Sequence, residues 1–243
     1  MTASRPVALV SGGSAGIGRA IVEQLLEQGC EVLSLDLQPG TLAHERLHAF
    51  EIDLTERAAT AKLLAELTQR FAITTLVHNA GVIRPALLAD VQLQDLDALV
   101  DLHLGCAIQL VQAALPAMRA ARFGRVVLLS SRAALGVVTR TSYSATKAAM
   151  MGMARTWALE LAADGITVNV VAPGPIRTDM FHAVVPAGSE RERALAAAIP
   201  VQRLGEGADV ARAVGFFADP LNSFVTGQVL YVCGGSSIGS ISL

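Results

Sequence analysis

The stretch Val7-Ala8-Leu9-Val10-Ser11-Gly12-Gly13-Ser14-Ala15-Gly16-Ile17-Gly18 decides the fold. Residues 7–10 form a short apolar run without helical spacing, which reads as a buried strand, Val7–Ser11. The glycines after it permit a tight turn and close approach of backbone N–H groups to an anion. A helix-period stretch follows, Ile17–Gln28, with Gly29 as its stop signal. A helix opening at such a turn aims its positive end at phosphate oxygens. Gly12, Ser14, Ala15, Gly16, Ile17 and Gly18 are therefore candidate cofactor contacts.

The next apolar run, Glu31–Asp36, ends on an acid. A carboxylate there can accept hydrogen bonds from both ribose hydroxyls of NAD, and it repels the 2′-phosphate of NADP. The positions best placed to hold that phosphate with a basic side chain are Ala15 and Leu37. NAD is the expected cofactor, held in part by Asp36.

Outward from this unit the alternation continues. Strands are expected at His48–Ile52, Thr74–His78, Arg125–Ser130, Ile166–Ala172 and Val229–Val232. Helices are expected at Glu56–Phe71, Leu93–Arg119, Ser142–Ala163 and Ala208–Phe217. The pattern predicts an α/β fold: a single Rossmann-type, doubly wound parallel sheet of seven strands, flanked by helices on both faces. No linker or repeat divides residues 1–243, so one NAD-binding domain is expected. Only Pro173–Pro200, rich in proline, breaks the rhythm. A long irregular segment after a strand reads as a substrate lid, placed around 179–200.

Composition narrows the function. The chain is 52 % hydrophobic and 16 % charged, enough for a large core with apolar surface left for subunit contacts. A net charge of −2 without a basic cluster argues against nucleic-acid binding. No apolar run approaches a bilayer span and no signal peptide is evident, so a cytoplasmic protein without membrane attachment is expected. Cys30, Cys106 and Cys233 are far apart and odd in number, which fits buried small side chains better than a disulfide or metal site. No metal is expected.

The second informative feature is Tyr143-Ser144-Ala145-Thr146-Lys147. The chain has two tyrosines and two lysines, and one of each stands at i and i+4 in an expected helix, on one face. A phenol, with pKa about 10, is a poor base at neutral pH, but a nearby ammonium favours the phenolate. Such a tyrosine can take a proton from an alcohol, or give one to a carbonyl, as hydride moves to or from nicotinamide. Ser130 and Ser131 close the strand Arg125–Ser130, and a serine there can donate to the reacting oxygen.

On these residues the sequence resembles the short-chain dehydrogenase/reductase family over nearly its whole length. Ser11–Gly18 is similar to the family's TGxxxGIG, and Tyr143–Lys147 matches YxxxK. Asp53 and Leu54 resemble the acid and its neighbour near the adenine. Asn79-Ala80-Gly81 matches NNAG, with His78 for its first Asn. Asn169 through Gly174 matches VNxxxPG, and Ile176 and Thr178 fall where the family contacts the carboxamide. Gly227-Gln228 and Gly234-Gly235 resemble the last strand region. The resemblance implies that Tyr143 is the acid/base, that Lys147 lowers its pKa and holds the nicotinamide ribose, and that a serine steadies the substrate oxygen. Strand-exit geometry favours Ser131, while the family's common spacing of thirteen favours Ser130. Pro173 and Gly174 join the implied cofactor contacts. The family's Asn in the long helix, which helps hold a proton-relay water, aligns with His103. Imidazole can also donate and accept, so His103 is a candidate catalytic residue, or else a histidine merely tucked into the helix.

The implied activity is hydride transfer between NAD and a secondary alcohol or ketone, with a hydroxyacyl or hydroxy-acid type as candidate substrate. The general likeness is to 3-oxoacyl-carrier-protein reductases, which usually use NADPH; Asp36 argues against that cofactor. Met180, Phe181, Val184 and Val185 make the lid apolar, while Arg177, Arg191 and Arg193 meet either an acidic substrate or solvent. Leu93–Arg119 and Ser142–Ala163, with Trp157 and Met150, Met151 and Met153, are apolar over more than one face; the resemblance implies a homo-oligomer, dimer or tetramer. A cofactor-binding regulator or scaffold with little turnover is the rival reading, favoured by His103 and disfavoured by the intact Tyr143–Lys147 pair.

Overall fold

A computed structural model describes residues 5–238; the remaining ends of the 1–243 chain lie outside the described residues. Seven strands form one parallel sheet in the order β3-β2-β1-β4-β5-β6-β7. They are β1 (Val7–Ser11), β2 (Glu31–Asp36), β3 (Leu47–Glu51), β4 (Ile73–His78), β5 (Gly124–Leu129), β6 (Ile166–Pro173) and β7 (Val229–Val232). The helices are α1 (Gly16–Glu27), α2 (Arg57–Arg70), α3 (Leu93–Val100), α4 (Cys106–Ala121), α5 (Thr141–Leu161), α6 (Asp179–His182), α7 (Glu190–Ala198) and α8 (Gly207–Ala218).

The buried strands are apolar on both faces because helices cover both. In β1, Val7 and Leu9 join one core with α2, α4 and α5, through Leu64, Leu67, Leu110 and Met150. Ala8 and Val10 face the other, where Ile21, Val22 and Leu25 of α1 meet Val210 and Val214 of α8. Period-2 alternation along a strand splits its residues between two cores. Only the edge strands β3 and β7 are substantially exposed. Strand order reverses between β1 and β4, which opens a crevice at their carboxyl ends.

Three expectations change. First, β3 starts one residue earlier than expected, at Leu47, and ends at Glu51, where Asp36 is its register partner. Second, the long helix is not uniform. It runs from Leu93 to Ala121, but Asp101–Gly105 forms one π-helical turn between α3 and α4. Such bulges often mark functional sites. This rod is long and apolar enough to cross a membrane, contrary to the reading that nothing in the chain is; here Leu110, Ala114 and Met118 are buried against the sheet core. Third, the segment after β6 is not simply irregular. Thr178 caps α6 and Ser189 caps α7, each hydroxyl accepting a backbone N–H at its helix start.

The three cysteines are buried and unpaired.

Candidate active site

At the crevice, Ser11 ties β1 to β4. Its hydroxyl accepts the N–H groups of Asn79 and Ala80, each at 3.1 Å, and donates to His78 Nδ1 at 2.9 Å. Asn79 Nδ2 donates to the Gly12 carbonyl at 2.8 Å. Gly12 has φ +67°, and a Cβ there would sit 2.9 Å from Ala80 Cα. A Cβ on Gly18 would lie 1.8 Å from the Gly12 carbonyl oxygen. These glycines fold the turn so that α1 starts against the strand ends. Ala15, its N-cap, offers no side-chain cap, and the first turn holds no acid. The first-turn N–H groups, Gly16 to Gly18, are thus left to form an anion cradle. A dinucleotide pyrophosphate fits that cradle.

Asp36 borders it. Its Oδ2 accepts the Ser14 N–H at 2.9 Å and its Oδ1 that of Gln38 at 3.3 Å. Leu37 beside it is exposed and uncharged. Arg19 is occupied by Glu23 and Thr41. Asp53 accepts both the N–H and the hydroxyl of Thr55, at 2.9 and 2.7 Å, at the exit of β3, and Leu54 is buried. Pro173 ends β6, the Gly174 N–H donates to Val232 at 2.9 Å, and Ile176 is buried. Thr178 packs over Gly16.

The second cluster draws on four elements. Ser131 follows β5, and its hydroxyl accepts the Ala133 N–H at 3.1 Å and interacts with the Tyr143 phenol. Ser130 is turned away: its hydroxyl is buried and donates to the Lys147 carbonyl at 2.6 Å. Lys147 Nζ donates to the Leu129 carbonyl at 2.7 Å and lies 5.8 Å from the centre of the Tyr143 ring.

The titration of this pair differs from the expectation that Lys147 depresses the phenol. Burial raises the Tyr143 pKa, against the smaller lowering effects of the Ser131 hydroxyl and the Arg140 charge. Burial also pushes Lys147 down to about 7. The ammonium is drawn to a backbone carbonyl at the strand end, over the ring, and the phenol is a neutral acid at neutral pH.

His103 also differs from a water-relay group. It sits in the π-helical turn, fully buried. Val82 N–H donates to its Nε2 at 3.3 Å, which places the ring proton on Nδ1, bonded to Thr146 Oγ1 at 2.9 Å. Thr146 Oγ1 is in turn within 3.1 Å of the Ser142 and Tyr143 carbonyls. Both ring nitrogens are thus taken by protein groups. Burial first, then the Lys147 charge, pushes its pKa down to about 2, so it stays neutral. The ring stands edge-on to Tyr143, 5.7 Å between centroids. Gly81 threads between this imidazole and Lys147: a Cβ there would come within 2.9 Å of Nε2 and 3.3 Å of Nζ. His78, equally buried and close behind, is pushed down to about 3.

Sequence reading missed Thr146, which carries the imidazole to the catalytic helix. Its signal was a hydroxyl residue between Tyr143 and Lys147, whose importance depends on a π-turn no periodicity reveals. Of the arginines in the segment after β6, Arg177 pairs with Glu192 and Glu206 at 3.5 and 3.6 Å, and Arg193 and Arg191 donate to the Gly188 and Val184 carbonyls.

A family model described as enoyl-(acyl carrier protein) reductase matches residues 12–237. The chain is 35 % identical over 243 residues to the (2S)-[(R)-hydroxy(phenyl)methyl]succinyl-CoA dehydrogenase subunit BbsD of Thauera aromatica, covering 96 % of each chain. It is 35 % identical over 238 residues to the 3-oxoacyl-acyl-carrier-protein reductase FabG of Escherichia coli, covering 94 % of this chain and 96 % of that one. Thermoplasma acidophilum aldohexose dehydrogenase superposes with a TM-score of 0.91 at 28 % identity, over 98 % of this chain and 97 % of that one. ElxO with NADP bound gives 0.90 at 26 %, over 97 % and 100 %. The chain belongs to the short-chain dehydrogenase/reductase family and is an NAD(P)-dependent oxidoreductase.

Proposed function

We propose that this protein interconverts a secondary alcohol and a ketone using NAD, in one domain with a lid around residues 179–200. The observation that carries the cofactor choice is Asp36, a fixed carboxylate at the edge of the glycine turn with no basic side chain at Ala15 or Leu37. A 2′-phosphate there would meet its charge. A dinucleotide held at its pyrophosphate by the cradle would supply or accept the hydride through its nicotinamide. In the reductive direction the neutral Tyr143 phenol gives its proton to the carbonyl oxygen as carbon receives hydride, and Ser131 donates a hydrogen bond to that oxygen. In the oxidative direction the proton of the alcohol passes to a phenolate. Lys147 orders the site from the same helix face, and the nicotinamide ribose is its proposed partner. Gly12 to Gly18, Asp53, Leu54, Asn79 to Gly81, Pro173, Gly174, Ile176 and Thr178 line the cofactor's path, and His103 positions α5.

Two further readings belong here. The FabG relatives favour 3-oxoacyl-carrier-protein reduction with NADPH as the second activity, against which Asp36 stands. Exposed Leu159, Leu221 and Phe224 support a homo-oligomer, dimer or tetramer, and the relatives support a cytoplasmic enzyme acting on a small molecule. The test is a panel of secondary alcohols and ketones followed by reduced-nicotinamide absorbance with each cofactor. NAD-linked turnover that Tyr143→Phe abolishes is the expected result; a clear preference for NADPH overturns the cofactor assignment.

A further inference from the structure

The helix α7 is attached to the rest of the molecule by charge and not by an apolar face. It opens on Glu190, Arg191, Glu192 and Arg193 and holds a single leucine, Leu195, which is half-buried. Among the described residues of α7 only Glu192 is buried, and the helix packs along no strand and no other helix. A surface helix ordinarily seats a stripe of apolar side chains. Here the seated group is a carboxylate, which is costly to bury unless it is paired. The chain to either side is fixed by apolar contacts: Val185 and Ile199 are buried, and the Val201 N–H donates to the Gly234 carbonyl at 3.3 Å.

Arg177 supplies the pair. Its Nε lies 3.5 Å from Glu192 Oε1 and its Nη1 3.6 Å from Glu206 Oε1. Glu192 Oε2 accepts the Gly188 N–H, so one carboxylate closes the turn before α7 and docks the helix. The arginine stands on a rigid base: its N–H donates to the Gly205 carbonyl at 2.9 Å, and the Gly205 N–H to the Pro175 carbonyl at 3.0 Å. Glu206 is the N-cap of α8, and a Cβ on the next residue, Gly207, would lie 3.2 Å from the Gly16 carbonyl oxygen. A Cβ on Gly16 would in turn lie 3.1 Å from Thr178 Cγ2. The two ion pairs thus join α7 to the edge of the glycine turn. The bonds of Arg191 and Arg193 to the Val184 and Gly188 carbonyls lie within the segment and travel with it.

We propose that Arg177 is an ionic latch: α7 is a flap that opens as a unit when the Arg177–Glu192 and Arg177–Glu206 pairs separate. Its link to the reaction rests on the lid reading above, under which this opening admits and releases the dinucleotide.

Trypsin cleavage after Arg191 and Arg193 of the native, cofactor-free protein, followed by mass spectrometry, reports the opening of α7. Arg177→Ala should speed it about 3- to 30-fold, between the effect of an exposed ion pair and that of a hydrogen bond to a charged group. Glu192→Gln, which keeps an acceptor for the Gly188 N–H and removes only the charge, should give a similar increase, and Glu206→Gln a smaller one. High salt should speed cleavage of the wild type more than that of Arg177→Ala. Global unfolding temperatures should stay nearly unchanged. Equal cleavage rates in the wild type and Arg177→Ala, or increases matched by global destabilisation, would overturn the latch. Displacement of NADH by excess NAD, followed by fluorescence, tests the link to the site, and release should quicken in Arg177→Ala by a similar factor. Faster cleavage with unchanged NADH release supports the latch and rejects the lid reading.

Discussion

The two halves of the site are built on different principles. On the cofactor side, Gly12, Gly18 and the start of α1 act through backbone: the contacts are N–H groups and spaces where no Cβ fits. Asp36 supplies a carboxylate at that edge, and it is pinned by the Ser14 N–H. On the chemical side the backbone only delivers side chains, from the exit of β5, the π-turn before α4 and two turns of α5. Their properties come from burial, which raises the Tyr143 pKa and lowers those of Lys147, His103 and His78. The contrast teaches that a single methyl group should destroy the first half, whereas the second should respond by degrees to the charge and packing of each group.

The largest effect is expected from Gly18→Ala. Its Cβ would lie 1.8 Å from the Gly12 carbonyl, a backbone atom that cannot step aside without opening the turn. Fluorescence titration with NADH should show binding lost; tight binding would mean that the glycine turn is not the cradle. Tyr143→Phe should leave that titration intact and reduce kcat by about 10²- to 10⁴-fold, the range of general acid–base catalysis. Loss of both binding and turnover together would erase the distinction between the halves.

Next comes His103→Ala, which removes two buried hydrogen bonds and leaves a cavity between α4 and α5. Urea unfolding should show a loss of about 2–4 kcal/mol. His103→Asn, able to accept and donate, should lose less and keep activity. Were the asparagine variant inactive yet stable, the imidazole would be doing chemistry and not positioning. Asp36→Asn should lower the ratio of NAD to NADP efficiency by about 10- to 100-fold, as expected for lost charge-assisted hydrogen bonds and relieved repulsion. An unchanged ratio would move cofactor choice elsewhere.

The most graded effect is that of pH. His78 and His103 are neutral when folded, with pKa values near 3 and 2, against about 6.5 when unfolded. The unfolded chain therefore binds more protons between these limits. Their contribution to stability is complete above pH 6.5 and declines as pH falls below it, on the order of 1 kcal/mol per pH unit for each histidine. Urea midpoints at pH 7 and pH 5 should differ accordingly; a flat profile would show the histidines solvated.

Much of this was legible in the chain. The apolar run into glycines, the acid closing β2 and the i, i+4 pair on α5 are local patterns, and local geometry enforces them. Strand limits were off by single residues where propensity is weak, as at Leu47. What escaped notice was the π-turn and what it holds. Periodicity treats Leu93–Arg119 as one helix, since it is apolar over more than one face and a one-residue shift of phase leaves no visible break in the pattern. The Ser130–Ser131 choice was open for the same reason: both are serines at a strand end, and only the twist of the exit sends one hydroxyl to Tyr143 and the other to the Lys147 carbonyl.

The sequence by itself determined the strand–helix alternation, the glycine turn and the spacing of phenol and amine, because each is a pattern local to a short stretch of chain. Only the tertiary structure decided the charge states and partners at the chemical centre. Burial depends on what other elements bring against a group, so Lys147 is drawn to Leu129 and His103 is locked between Val82 and Thr146.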